Sequence, residues 1–217
     1  MAENCLIIFT RYPEIGMTKT RLIPVLGEAR ATALHRLMVE KTLEKMRLVT
    51  KNLPGQIRVY FTGGNPQLMA DWLGDDLIYH QQSGGDLGER MNRAFIHEFA
   101  AGFSKIVLIG TDCPDLNREI MQTAFENLAN HDLVLGPAVD GGYYLIGLNA
   151  PRPDLFQNIT WSSAEVFSQT RAIARRENLL VFDLPTLRDI DEPADLAWLP
   201  EYFDLNICQT RTKPTNQ

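Results

Sequence analysis

The run Gly110-Thr111-Asp112-Cys113-Pro114-Asp115-Leu116 directly follows the apolar stretch 106–109 and holds the residues of this chain best placed for chemistry. A buried strand delivers the residues after it to the rim of the sheet, and open α/β sheets bind their ligands at that carboxyl end. A carboxylate there, followed by a proline turn, can hold Mg²⁺ or Mn²⁺ against a diphosphate. These hard cations take oxygen ligands from one or two carboxylates plus substrate phosphates. Asp112 lies nearest the strand end and is the better metal candidate. Asp115 suits capping of a helix that starts near Asn117, and capping is also the bland alternative for Asp112.

Segment 10–22 supplies the opposite charge. Arg11, Lys19 and Arg21 place three cations in one loop, and Gly16 lets backbone N–H groups approach an anion closely. A diphosphate calls for this mixture of point charge and forked donors. The loop lacks the glycine spacing of a P-loop and has no GxGxxG, and its plain alternative is a solvated basic loop. Gly84-Gly85-Asp86-Leu87-Gly88-Glu89-Arg90-Met91 opens a helix. Its glycines leave room for a base or ribose, with Gly88 and Arg90 as nucleotide-binding candidates, while Asp86 and Glu89 equally suit a capping box.

Two further acidic turns follow. In the run from Gly136 to Tyr144, Asp140-Gly141-Gly142 is locally an ordinary hairpin turn. Its functional alternative puts Asp140 at a pocket rim, binding hydroxyls or acting as a general base. In Asp189-Ile190-Asp191-Glu192-Pro193, Asp191 and Pro193 make a helix start, which leaves Asp189 free as a second metal ligand. Ser162 reads as a cap and Trp161 as packing. His35, His80, His97 and His131 lie in no metal-ligand spacing and read as structural or exposed. No GxSxG elbow or cysteine nucleophile motif is present.

The elements that must position these residues alternate between β-rich runs and helical patterns. Residues 5–10, 57–61, 77–80, 105–109, 133–135, 143–148 and 180–183 read as strands. Residues 28–49, 66–73, 87–101, 118–129, 163–176 and 192–199 read as helices. The alternation predicts a three-layer α/β/α sandwich around a mostly parallel sheet, with one antiparallel pairing near residues 140–142. Residues 1–208 suit a single domain and 209–217 a polar tail. A net charge of −6 and pI near 5.2 argue against a nucleic-acid partner. The odd, distant Cys5, Cys113 and Cys208 argue against a disulfide framework. The first apolar run is too short for a signal or a membrane span, so a cytoplasmic enzyme is the expectation.

Taken together, the motifs around Arg11–Leu22, Gly88–Met91, Asp112, Asp140 and Asp189 resemble the rSAM/selenodomain-associated transferase family of the nucleotide-diphospho-sugar transferase superfamily. The likeness covers nearly the whole chain. It implies a mixed-sheet GT-A-like fold and a metal-assisted glycosyltransferase that moves a sugar from a nucleoside-diphosphate sugar to an unknown small-molecule acceptor. Arg11, Lys19 and Arg21 would face the phosphates, Asp112 would bind the metal, and Asp189 or Asp191 would assist, since the motif is Thr-Asp-Cys and not Asp-x-Asp. The runner-up is a nucleotidyltransferase acting on an NTP, because Lys19-Thr20-Arg21-Leu22 also resembles the 2-phospholactate guanylyltransferases. A non-catalytic nucleotide-binding protein is the third reading.

Overall fold

A continuous apolar run must be covered on both faces, and strand β1 (Asn4–Arg11) is buried at every position but its last. The computed structural model describes residues 3–51 and 55–199. β1 pairs in parallel with β2 (Gly55–Thr62) and with β4 (Lys105–Ile109), and β3 (Ile78–Gln81) pairs in parallel with β2. Beyond β4 come β6 (Tyr143–Leu148), β5 (Leu133–Pro137) and β7 (Val181–Asp183), giving the order β3-β2-β1-β4-β6-β5-β7. The expected antiparallel pairing is present twice, because β6 lies between β4 and β5 and opposes both.

Alternation along the central strands divides the core. Leu6, Ile8, Val107 and Ile109 pack on one side of the sheet with α2 (Glu28–Thr50), α3 (Pro66–Leu73) and α5 (Arg118–Asn127). Cys5, Ile7, Ile106 and Leu108 pack on the other with α4 (Leu87–Ala100) and α6 (Val166–Arg176). The result is the three-layer α/β/α sandwich that the sequence predicts. A 3-10 turn (Thr20–Leu22) and a short helix α1 (Ile23–Leu26) occupy a stretch for which the sequence predicts no element.

Several expected caps move. α5 is capped by Asn117, whose side chain accepts from Ile120 N–H at 3.0 Å, and not by Asp115. Ser162 does not cap α6: it has φ 62°, and the helix begins at Val166. The last 3-10 turn (Pro193–Trp198) is capped by Glu192 in a reciprocal box with Asp195, which releases Asp191 from that duty. At α4 Asp86 does cap, accepting from Glu89 N–H at 2.8 Å, while the Glu89 carboxylate accepts from Gly85 N–H at 2.7 Å. Cys5 and Cys113 are free and buried; Cys208 and the tail 209–217 lie outside the described residues. Among the described residues no helix is long and apolar enough to cross a membrane.

The turn at 138–142 is braced from outside. Gly141 has φ +89°, and a Cβ there would stand 2.2 Å from the Ala164 carbonyl oxygen. Its own carbonyl accepts from Phe167 N–H at 2.9 Å, tying the hairpin to α6. Gly141→Ala therefore adds backbone strain to a clash and should cost at least about 1–3 kcal/mol in urea unfolding.

Candidate functional site

The loop after β1 is drawn inward by packing. Leu22 is fully buried in a small apolar cluster with Ala31, Leu34, Met38 and Ile190. Lys19 immediately precedes the 3-10 turn in a left-handed conformation, φ 48°, which aims its side chain beneath the rim of the sheet. That side chain is only 3% exposed and forms an ion pair with Asp112. The same ammonium donates to the Ile190 carbonyl and has Asp191 Oδ1 at 3.7 Å. An ammonium so deeply withdrawn from water needs this set of oxygens. Ile190 N–H donates back to the Asp112 carbonyl at 2.9 Å, so three distant segments meet at one ammonium.

Asp112 keeps 46% of its side chain open. Burial raises its carboxyl, but the adjacent Lys19 charge and hydrogen bond outweigh that and hold it below the ordinary carboxylate range. Asp189 is the opposite case. Burial, with help from the charges of Asp112 and Asp140, pushes it up to about 6, against the counteracting Cys113 hydrogen bond and Lys19 charge. The Cys113 thiol is itself raised, by burial first and then by Asp189, and it donates a hydrogen bond to that carboxylate.

A cleft of about 440 Å³ opens at this rim. Arg11, Lys19, Arg21, Asp112 and Asp191 all line it, so the structure brings five of the singled-out residues together. Arg11 Nη1 donates to the Met17 carbonyl at 3.0 Å, and Arg21 donates to Asp191 at 2.7 Å. Asp191 thus engages both basic residues of the turn. Asp189 and Asp140 are not among the lining residues; Asp140 orients its own turn by accepting from Gly142 N–H at 2.8 Å.

The glycine-rich candidates fall outside the lining. A Cβ on Gly88 would meet the Trp161 ring at 2.4 Å, so that glycine is required for packing. Gly16 has φ +79° and rests against the Glu28 carboxylate. Arg90 donates to the Gly85 carbonyl at 2.9 Å and holds the loop before α4.

Three cleft residues were not legible in the motifs. His35 sits on the buried stripe of α2, with its Nε2 2.9 Å from the Arg11 carbonyl, and burial lowers its pKa, so the neutral ring donates there. Gln82 donates to the Thr10 and Tyr60 carbonyls at 3.2 and 3.0 Å. Thr10 Oγ1 is buried and makes no hydrogen bond among the described residues. The signal for His35 was an imidazole on a stripe otherwise made of apolar residues and threonines; Thr10 and Gln82 carried none. A larger groove of about 570 Å³ runs along α6 by Arg171 and Arg175 and contains none of the motif residues.

The donor set suits a hard divalent cation. Asp112 and Asp189 offer oxygen alone, one open and ionised, the other raised by burial first and then by neighbouring carboxylates, and added positive charge would oppose that shift.

The comparisons with known proteins agree with this architecture. A family described as "Uncharacterized protein conserved in bacteria (DUF2064)" matches residues 45–163. A crystal structure from Desulfovibrio desulfuricans G20, provisionally named a nucleotide-diphospho-sugar transferase, is 38% identical, covers 88% of this chain and 84% of its own, and superposes with a TM-score of 0.83. The inositol-1-phosphate CTP transferase of T. maritima is 14% identical over 99% of each chain with a TM-score of 0.59. A cytidylyltransferase from Leptospira borgpetersenii is 16% identical, covers 99% of this chain and 100% of its own, and has a TM-score of 0.53. At such identity these two share the fold alone. No curated protein matches the chain.

Asp189 makes one test of this electrostatic arrangement possible. Its native pKa of about 6 exceeds the ordinary value, so between roughly pH 4 and 6 the folded state binds more protons than the unfolded state. Its contribution to stability is therefore present below that window and lost as pH rises through it. Asp189→Asn should gain on the natural protein in urea unfolding as pH goes from about 4.5 to 7. A difference that stays flat with pH would contradict the raised pKa of the buried Asp189.

Proposed function

This chain belongs to the DUF2064 family, and from that premise and the cleft at its sheet rim we propose that it is a divalent-cation-assisted transferase acting on a nucleotide substrate, in the first instance a glycosyltransferase using a nucleoside-diphosphate sugar. The observation that carries the reading is the placement of Asp112: half-open, ionised and fixed by a buried lysine at the carboxyl end of a parallel strand, opposite two exposed arginines. The 38%-identical D. desulfuricans protein with its transferase name supports it. The finer membership of the rSAM/selenodomain-associated transferases rests on the motifs themselves.

In this reading Arg11 and Arg21 receive the phosphates as forked donors at the mouth of the cleft. Lys19 is a positioning residue: with its ammonium committed to Asp112 and Ile190, it fixes the carboxylate instead of meeting the ligand as a free charge. Asp112 and Asp189 would hold Mg²⁺ or Mn²⁺, which when bound supplies charge neutralisation for a leaving diphosphate. The apolar side chains of Met17 and Leu87, both in the lining and both exposed, suit the face of a base. Asp140, oriented by Gly142 N–H, would accept the proton of an acceptor hydroxyl. The setting proposed is the cytoplasm, with a small-molecule acceptor.

Nucleotidyl transfer remains the second reading, favoured by the run Lys19-Thr20-Arg21-Leu22 at the cleft. The products separate the two. With Mn²⁺, release of a nucleoside diphosphate from a nucleotide sugar supports glycosyl transfer, whereas pyrophosphate released from an NTP in the presence of phosphorylated small molecules supports the second. In calorimetry, Asp112→Asn should lose Mn²⁺-dependent affinity for a nucleoside diphosphate by at least about tenfold, some 1.4 kcal/mol. Unchanged cation-linked affinity in a folded variant would overturn the metal assignment.

A further inference from the structure

A second cluster of ligating groups lies away from Asp112, between the edge strand β3 and the end of α4. One ring nitrogen each of His80 and His97 and a Glu98 carboxylate oxygen all fall within 4.8 Å of one another. His97 Nδ1 is 3.2 Å from Glu98 Oε1, and His80 Nε2 is 3.8 Å from the same oxygen, too far for a hydrogen bond. The two imidazole rings stand edge to face at 4.8 Å. Sequence spacing does not reveal this group, since His80 reaches it only through the pairing of β3 with β2.

We propose that His80, His97 and Glu98 form a binding site for a late first-row divalent cation of the Zn²⁺ class, stapling edge strand β3 to helix α4. Zn²⁺ lies about 2.0–2.2 Å from nitrogen and oxygen ligands, so tetrahedral neighbours stand roughly 3.3–3.6 Å apart. The separations of 3.2 and 3.8 Å from Glu98 Oε1 to the two imidazole nitrogens bracket that spacing, and the whole group lies within 4.8 Å. Two imidazoles and one carboxylate suit zinc over magnesium, which prefers oxygen alone.

The surroundings prepare the carboxylate. Glu98 is fully buried in a predominantly apolar core, where an ionised group requires compensation. Tyr60 OH donates to Glu98 Oε1 at 2.7 Å and fixes its orientation, as outer hydrogen bonds do for metal ligands; it also lies 2.9 Å from His97 Nδ1, a contact that a bound cation would replace. Glu98 Oε2 is buried and makes no hydrogen bond among the described residues, with Arg58 Nε 3.5 Å away as its counter-charge. His97, in contrast, is 56% exposed, which gives a cation an entry path and leaves a fourth position for water or another ligand.

The site is separable from the cleft, and so is its test. Zn²⁺ is titrated into the full chain in competition with a chromophoric chelator, and thermal unfolding is followed with and without the ion. The expected result is one tight site that raises the unfolding temperature. His80→Ala and His97→Ala should each weaken it at least tenfold, while Asp189→Asn at the cleft leaves it intact. Co²⁺ in the same site should give a d–d spectrum without a thiolate charge-transfer band, which separates it from Cys113 or Cys208. Zinc affinity unchanged in both histidine variants, loss of the site in Asp189→Asn, or a thiolate band would each overturn the assignment.

Discussion

The buried ammonium of Lys19 is the constraint on which the rim of this protein depends. It belongs to the loop after β1, its counter-charge Asp112 to the loop after β4, and its carbonyl partner Ile190 to the segment that follows β7. These segments are far apart in sequence and share no sheet pairing at these residues. A charge removed from water is satisfied only if all three converge, because a lysine left without its oxygens would bear an uncompensated desolvation cost. The apolar cluster around Leu22 and Ile190 drives the convergence, and the ion pair selects its geometry.

From this junction follows a division of labour between two neighbouring aspartates. Asp112 receives the lysine directly and is held ionised; Asp189 is buried, hydrogen-bonded by a thiol and faced by like charges, and is pushed toward neutrality. Environments that separate the pKa values of adjacent carboxylates are a recurring feature of functional sites, though structural ion-pair networks produce them too. Here the pair stands where the parallel strands end and two arginines are exposed, and that placement turns an electrostatic peculiarity into a functional reading.

Much of the architecture was legible because it depends on local periodicity. The continuous apolar run of β1 required burial on both faces, and the helix at α2 announced itself by its stripe. The turn Asp140-Gly141-Gly142 announced β6 as antiparallel, although its insertion between β4 and β5 is a tertiary choice that no turn signal encodes. The five charged residues of the cleft were legible because each ends a strand or lies in a loop. Caps were less so: Asn117 and Glu192 displaced Asp115 and Asp191, since capping depends on a shift of one or two residues in where the turn begins. Gly88 carried a ligand signal that packing against Trp161 explains instead. His80 and Glu98 could not be associated by spacing, because only strand pairing and the packing of α4 bring them together.

The central claim is that Lys19 and Asp112 act as one unit in forming a cation-linked nucleotide site. A double-mutant cycle with Lys19→Met and Asp112→Asn, read by calorimetry as Mn²⁺-dependent affinity for a nucleoside diphosphate, measures this directly. The expected result is strong non-additivity, with the double variant binding no worse than Asp112→Asn alone. Additive losses from the two substitutions, or cation-linked binding that survives both in folded protein, would contradict it.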